Sequence, residues 1–410
     1  MQLMQGALRT YAWGSRTAIA ELCGRPVPSN HPEAELWLGA HPADPARLLV
    51  GDRSVSLLDA IIADPATQLG ERARAGFGDR LPFLLKLLAA EEALSLQAHP
   101  SAEQAKEGFA REEAAGIPLD SPVRNYRDDS HKPELVVALT RFEALAGFRD
   151  PHRTVELLRS LDVPALENYI GLLAGQPDSS GLRALFTTWI TLPPPALGAL
   201  LPQILDGCVR YLSGPATERR YAREVQTVLG LGESYPGDAG VLASLLLNRV
   251  TLEPGEGLYL DAGNLHAYLH GLAVEVMANS DNVLRGGLTP KHVDVPELLR
   301  VLDFEPLTGP IRMPAAQPGT PVLVYDTPAP EFSLSRIDLD ECGRSQGASV
   351  DFELAGPRIL LCTAGSVTLR SGDDTLELAR GEAAWIAAAD PAVTVSAHST
   401  TAQLFSASVG

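Results

Sequence analysis

Leu260-Asp261-Ala262-Gly263-Asn264-Leu265-His266-Ala267-Tyr268-Leu269-His270-Gly271, followed by Glu275, Asp281, Arg285, Lys291 and His292, is the stretch whose reading decides the fold. Its flanks, 250–260 and 271–277, read as buried strands. Ionisable groups gathered on a buried β scaffold point to a site, because such groups are seldom buried without a partner.

The local signals agree. Pro254-Gly255-Glu256-Gly257 is a turn, since Pro presets φ and Gly takes positive φ at no steric cost. Leu258–Leu260 then reads as a short strand and 261–264 as a second turn. His266 and Tyr268 stand two apart, so in a strand they share one face. Strand, glycine turn, strand, turn and inward histidine resembles a cupin, a small jelly-roll barrel that often holds a metal in its mouth. His266 alone reads equally well as a ligand or as a barrel histidine satisfied by its neighbours.

The chain has 410 residues, room for two to three domains, and a formal net charge of −18. That charge argues against a nucleic-acid partner, and an anionic ligand would need a local basic pocket. Cys23, Cys208, Cys342 and Cys362 lie far apart without a CxxC pair, which argues against disulfides and against a thiolate zinc site. The opening Met-Gln-Leu-Met-Gln-Gly has no basic or apolar leader character, and no apolar run approaches membrane-spanning length. A cytoplasmic protein with no membrane partner, a monomer or weak homo-oligomer, is the expectation.

Three upstream stretches carry isolated polar groups on apolar strands. In 33–39, Glu35 and Trp37 share a face, and Glu35 reads either as a solvated strand residue or as part of a site. In 81–88, Lys86 interrupts an apolar run; buried, it needs an anion, either a phosphate or a carboxylate. In 94–101, Ser95, Gln97 and His99 recur at spacing two and face one way. His131-Lys132-Pro133-Glu134 then opens a further strand after a helical segment from 101 to about 116. Gln97, His99, Glu134 and His266 together offer an amide oxygen, two imidazoles and a carboxylate, a set suited to a catalytic divalent ion such as zinc.

Leu94–Ser101, His131–Glu134, Asp261–Tyr268, Asn279–Arg285 and Thr289–His292, in this order, closely resemble the type I mannose-6-phosphate isomerase family, as do the opening segments 11–15 and 35–42. The resemblance implies interconversion of mannose 6-phosphate and fructose 6-phosphate with one zinc per chain. It places the zinc ligands on Gln97, His99, Glu134 and His266, the essential arginine on Arg285, and cleft residues on Glu35, Lys132, Tyr268, Glu275, Asp281 and Lys291. Moving a proton between C1 and C2 needs an acid or base near both carbons and stabilisation of the enediolate. Lys132, Glu275 and a metal-bound water are all possible carriers. Arg285 and Lys132 are expected to handle charge near the reacting carbons, and Lys86, Ser95 and Lys291 the phosphate. The alternatives are a metal-dependent cupin oxygenase, a non-catalytic sugar-binding cupin, and an isomerase relaxed towards other aldoses.

Beyond residue 150 the apolar spacing becomes helical over 155–161, 166–173, 182–190, 195–212, 218–229 and 239–247. Nothing there looks chemical, and Trp189 and Tyr169 read as core. From 306 a Pro-rich connection leads into short strands. There, 376–386 echoes 251–260: Gly381-Glu382 repeats Gly255-Glu256 at an offset of 381 − 255 = 126, which places Ala392 where His266 stands. The expected fold is mainly β, with an inserted helical domain and two cupin-like jelly-roll barrels, the first metal-binding and the second degenerate. Its divisions fall at 1–149 and 249–305 for the catalytic barrel, 150–248 for the insert and 306–410 for the C-terminal barrel.

Overall fold

The computed structural model describes residues 1–215, 217, 219–340, 349–352 and 356–410. Cys342 lies outside these residues. Cys23, Cys208 and Cys362 are free thiols.

The centre of the fold is the 13-residue strand His266–Ala278. Its first half pairs with Phe142–Phe148 and its second half with both Phe83–Ala90 and Glu134–Ala138. The change of partner falls at Gly271, where φ is +123° and an added Cβ would lie 2.7 Å from Arg141 O and 2.9 Å from Phe142 Cα. Only glycine allows both that φ and that approach. Phe83–Ala90 is buried at every position and carries Lys86 among Leu, Phe and Ala, so the chain sinks a charge into an apolar sheet. Short strands complete the surroundings: Leu96–Ala98, whose Gln97 pairs with His266 and with Arg285, and Glu35–Leu38, which edges Phe83–Ala90.

All helices between Pro151 and Ser244 come in one run between Phe142–Phe148 and Leu247–Leu252. They enclose a core around Trp189, Phe186 and Leu185, and Tyr169 packs half-buried against it. The triple proline 193–195 reads as a break, and the structure has one there: a helix ends at Ile190, and Pro194 and Pro195 form the first turn of the next, the 20-residue helix Pro194–Ser213. The first turn of a helix leaves N–H groups unused, so proline costs nothing there. The last expected helix, 239–247, is shorter: Gly240–Ser244 is helical and Leu247 already begins a strand.

The C-terminal strands form two sheets. One is four-stranded and orders Ser349–Phe352, Val393–Ala397, Ser366–Ser371 and Asp374–Ala379. The other has nine strands and includes three from the start of the chain: Gln2–Gln5, Arg47–Val50 and Arg53–Ser56. Gln2 pairs with Trp385, so the two ends of the chain close one sheet. Periodicity carries no sign of a pairing at that separation.

The turn echoed in the sequence is repeated in three dimensions. Gly255 N donates to Ala138 O at 2.8 Å and Ala138 N to Glu256 O at 3.0 Å; Gly381 N donates to Cys362 O at 2.8 Å and Cys362 N to Glu382 O at 3.0 Å. In each copy the glutamate side chain caps its own turn, Glu253 N to Glu256 Oε2 and Ala379 N to Glu382 Oε2, both at 2.8 Å. Both glycines have positive φ, 91° and 88°. Register follows the turn: Leu260 pairs with Glu134, and Ile386, 126 positions on, pairs with Arg358.

Candidate metal centre and pocket

Glu134 and His266 each begin a strand, and His99 directly follows one. Strand pairing brings the three together: Gln97 lies opposite His266, and Glu134 opposite Leu260 at the far end of the turn that leads to His266. His99 Nε2 is 3.3 Å from Glu134 Oε1, and His266 Nε2 is 3.4 Å from Glu134 Oε2. One ligand atom from each lies within 4.8 Å of the others, and all three residues are buried. Gln97 Nε2 reaches His266 Nε2 at 3.3 Å, and a half-turn of that amide presents Oε1 to the same place.

The two rings are held in one tautomer. His99 Nδ1 lies 2.8 Å from Asn282 O, and His266 Nδ1 lies 2.9 Å from Asn264 O. A carbonyl only accepts, so each Nδ1 carries the proton and each Nε2 turns a lone pair inward. Burial pushes His99 down to about 4, which keeps it neutral. Burial also opposes ionisation of Glu134, but the adjacent Lys132 charge and the surrounding polar groups outweigh it and hold its carboxyl well below the usual carboxylate range. His99 Nε2 and Glu134 Oε2 are buried without a hydrogen-bond partner. Lone pairs facing a carboxylate in a buried space repel unless a cation lies between them, so the residues fit a divalent metal.

Above this cluster opens a cavity of about 510 Å³. Gln97, Glu134, Lys132, Ser95 and Tyr268 line its metal side. Lys86, Glu275 and Glu35 form its buried base, Asp281 and Lys291 its exposed outer wall, and Arg285, half-buried, stands opposite Gln97 in the strand register. His99 and His266 lie buried beneath.

The base is a closed charge network. Lys86 Nζ is 3.1 Å from Glu275 Oε2 and 3.8 Å from Glu35 Oε1. Tyr268 OH donates to Glu275 Oε1 at 2.8 Å, and Trp37 Nε1 donates to Glu35 Oε2 at 2.6 Å. Burial works against the charge on Lys86, but Glu275 and Glu35 outweigh it and raise its pKa. Burial raises Glu275, with Lys86 opposing. Of the two partners open to Lys86, phosphate or carboxylate, the protein supplies carboxylates. Lys86 therefore already stands beside two anions.

Lys132 Nζ is 3.2 Å from Glu134 Oε1, beside the cluster. Burial lowers Arg285, with the nearby Arg127 charge second. Burial lowers Lys291 too, followed by Arg285 and Arg127.

Three groups escape the sequence reading. His41 is buried on the cavity wall, and its Nε2 lies 3.4 Å from Asp281 Oδ1. Asn282 is fully buried: its carbonyl fixes His99, its Oδ1 accepts from Arg127 N at 2.7 Å, and its Nδ2 donates to Ser130 O at 2.9 Å. Arg127 is exposed. The polar run 279–285 was the signal for Asn282; nothing in the pattern around Arg127 or His41 marks them.

Comparison with known proteins gives one answer. A family profile described as phosphomannose isomerase type I, catalytic domain, matches residues 1–151. The mannose-6-phosphate isomerase of Escherichia coli is 40% identical over 99% of both chains, and that of Rattus norvegicus 35% identical over 93% of this chain and 92% of its own. A zinc-bound crystal structure of mannose 6-phosphate isomerase superposes with a TM-score of 0.88 at 38% identity, covering 100% of this chain and 99% of that one.

Proposed function

The chain belongs to the mannose-6-phosphate isomerase family, and from that premise we propose a role for each part of its pocket. The protein is an aldose–ketose isomerase that interconverts mannose 6-phosphate and fructose 6-phosphate, using zinc. Gln97, His99, Glu134 and His266 would hold the metal. The observation that carries this reading is the buried His–Glu–His cluster, with its unpartnered Nε2 and Oε2, at the floor of a cavity that Arg285 and Lys291 also line. When bound, zinc supplies a Lewis acid that polarises the sugar oxygens at the reacting carbons.

The remaining work falls to side chains. Lys132, beside Glu134, and Glu275, whose pKa burial raises, are the groups placed to hold or pass the proton between C1 and C2. Tyr268 and Lys86 fix the two oxygens of Glu275, so that carboxyl is oriented before substrate arrives. Glu35 shares Lys86 and so sets how much of that charge Glu275 feels. Arg285 and Lys291 take the phosphate, with Arg285 also able to offset charge developing on the enediolate. Ser95 offers a hydroxyl on the metal side, and Asp281, hydrogen-bonded to His41, positions the outer wall.

The jelly-roll reading of both β units, with the second degenerate, is supported by the repeated turn and register. On that reading 1–149 with 249–305 forms the metal-bearing barrel, 150–248 the insert and 306–410 the second barrel. We take the protein to be cytoplasmic, without nucleic-acid or membrane partners, and a monomer or weak homo-oligomer; among the described residues no single helix is long and apolar enough to cross a membrane. The oxygenase and binding-module alternatives are not favoured. The test is turnover of mannose 6-phosphate against unphosphorylated mannose: the reading expects the phosphorylated sugar to be strongly preferred in kcat/KM, and equal use of both sugars would contradict it.

A further inference from the structure

Arg285 and Lys291 line the cavity, and Arg127, anchored through its backbone to Asn282, lies near enough for its charge to act on both. None of their side chains makes a hydrogen bond or ion pair with a described residue. Arg285 is half-buried, and the pKa values of both Arg285 and Lys291 are depressed by burial and by neighbouring cations, with no carboxylate among the causes. Of the acids near Arg127, Asp281 is paired with His41, and Asp128 accepts hydrogen bonds from Ser280 Oγ and Asp281 N. In a chain with net charge −18, acids to neutralise this corner are plentiful, yet it is left unpaired. Like charges held together without a counterion cost free energy that an anionic ligand would remove.

Arg127 is brought there by design of the backbone. Its N–H and that of Asp128 both donate to Asn282 Oδ1, at 2.7 and 3.2 Å. Asn282 is fully buried and stands three residues before Arg285. The residue whose backbone carbonyl fixes His99 therefore also fixes, through its side chain, the distance from the metal cluster to the Arg127 backbone.

We propose that Arg127 is a third phosphate-binding residue, closing the outer end of the cavity over the 6-phosphate held by Arg285 and Lys291. This rests on the isomerase reading above. A phosphate dianion has three terminal oxygens, and three cations converging from the 127 loop, the Arg285 strand and the 289–291 loop can each take one. Arg127, being exposed, also meets the anion first and raises its encounter rate against the negative field of the whole chain.

The test uses the zinc-loaded, full-length protein with Arg127→Ala and Arg127→Lys. For Arg127→Ala, KM for mannose 6-phosphate and the inhibition constant of inorganic phosphate should rise together by about tenfold, the scale of one charge-assisted hydrogen bond at a partly solvated site, with kcat within about twofold of wild type. Arg127→Lys should recover most of the loss. Wild-type values of both KM and the phosphate constant in Arg127→Ala would overturn the proposal, as would a fall in kcat with the phosphate constant unmoved. Should the wild-type protein fail to turn over mannose 6-phosphate, the isomerase reading falls. Direct calorimetric titration of inorganic phosphate into wild type and Arg127→Ala then still decides the role of Arg127: equal affinity overturns it, weaker binding to the variant supports it.

Discussion

Glu134 and Arg358 stand at corresponding places in two copies of one turn-and-strand unit, and between them lies the difference between a reactive site and a structural one. Each pairs with the last residue of the strand after a Gly-Glu turn, Leu260 in one copy and Ile386 in the other. Glu134 faces two imidazoles, whereas Arg358 Nη1 donates to Ser406 Oγ at 2.5 Å while its guanidinium lies 4.5 Å from the centre of the Phe352 ring. Where the first unit places an anion that needs a cation, the second places a cation of its own. Burial pushes the Arg358 guanidinium down to about 10, and its Nε is buried without a partner. The same turn-and-strand backbone thus accommodates either charge.

Substitutions at the two positions should differ most. Glu134→Ala removes the only carboxylate of the cluster, so zinc content and turnover should both collapse, by about a thousandfold or more in kcat/KM. Arg358→Met should leave kcat unchanged and keep the melting temperature or raise it slightly, because an apolar replacement relieves a poorly partnered buried charge by roughly 1 kcal/mol. Equal loss of activity in both would break the comparison.

A smaller effect belongs to Lys86, in the first unit. Lys86→Ala leaves Glu275 and Glu35 to repel each other, so the Glu275 pKa should rise further. The acid limb of the kcat profile should move to higher pH, with kcat falling about a hundredfold. The inhibition constant of inorganic phosphate should stay within about twofold of wild type, since Lys86 is engaged by carboxylates. A phosphate constant that weakens in step with kcat would restore Lys86 to the phosphate end.

The turns themselves sharpen the comparison at the level of stability. Both glycines hold positive φ, so alanine at either should cost about 1–2 kcal/mol of backbone strain. Gly381→Ala should cost more, because its Cβ would lie 2.7 Å from Cys23 Cα, whereas at Gly255 the nearest atom is the flexible end of Arg336. Denaturant midpoints of the two variants check the order.

The least effect concerns a contact between the units. His131 Nε2 is 2.6 Å from Glu331 Oε1, and the hydrogen bond to that carboxylate raises the His131 pKa. A raised folded-state pKa means the stabilisation is fully present below the unfolded value of about 6.5 and fades as pH rises through the folded value. At this partly exposed site it amounts to a few tenths of a kcal/mol. His131→Gln should therefore narrow the stability gap between pH 6 and pH 8 slightly; a wider gap would contradict the sign.

The grouping of His99, Glu134 and His266 was legible because strand periodicity aims the 95–99 side chains one way, and because Glu134 and His266 follow turn signals that end in strands. The main β elements and the helical run were legible for the same reason. Pairing between distant strands was not: Gln2–Gln5 against Ala383–Ile386 leaves no trace in either segment. Lys86 was placed correctly as buried, but its partner came from Glu275, 189 residues away, and an anion need in one strand does not name the anion. His41, Asn282 and Arg127 were missed because each acts through loop geometry, where no period orders the side chains.

The most direct test of the central claim, that one of two related β units carries a single catalytic metal, is zinc content per chain measured alongside mannose 6-phosphate turnover, through chelation and zinc add-back. The account predicts one zinc per chain, turnover lost on its removal and restored on its return, and no zinc in Glu134→Ala. Full turnover in metal-free protein, or a zinc retained by Glu134→Ala, would contradict it.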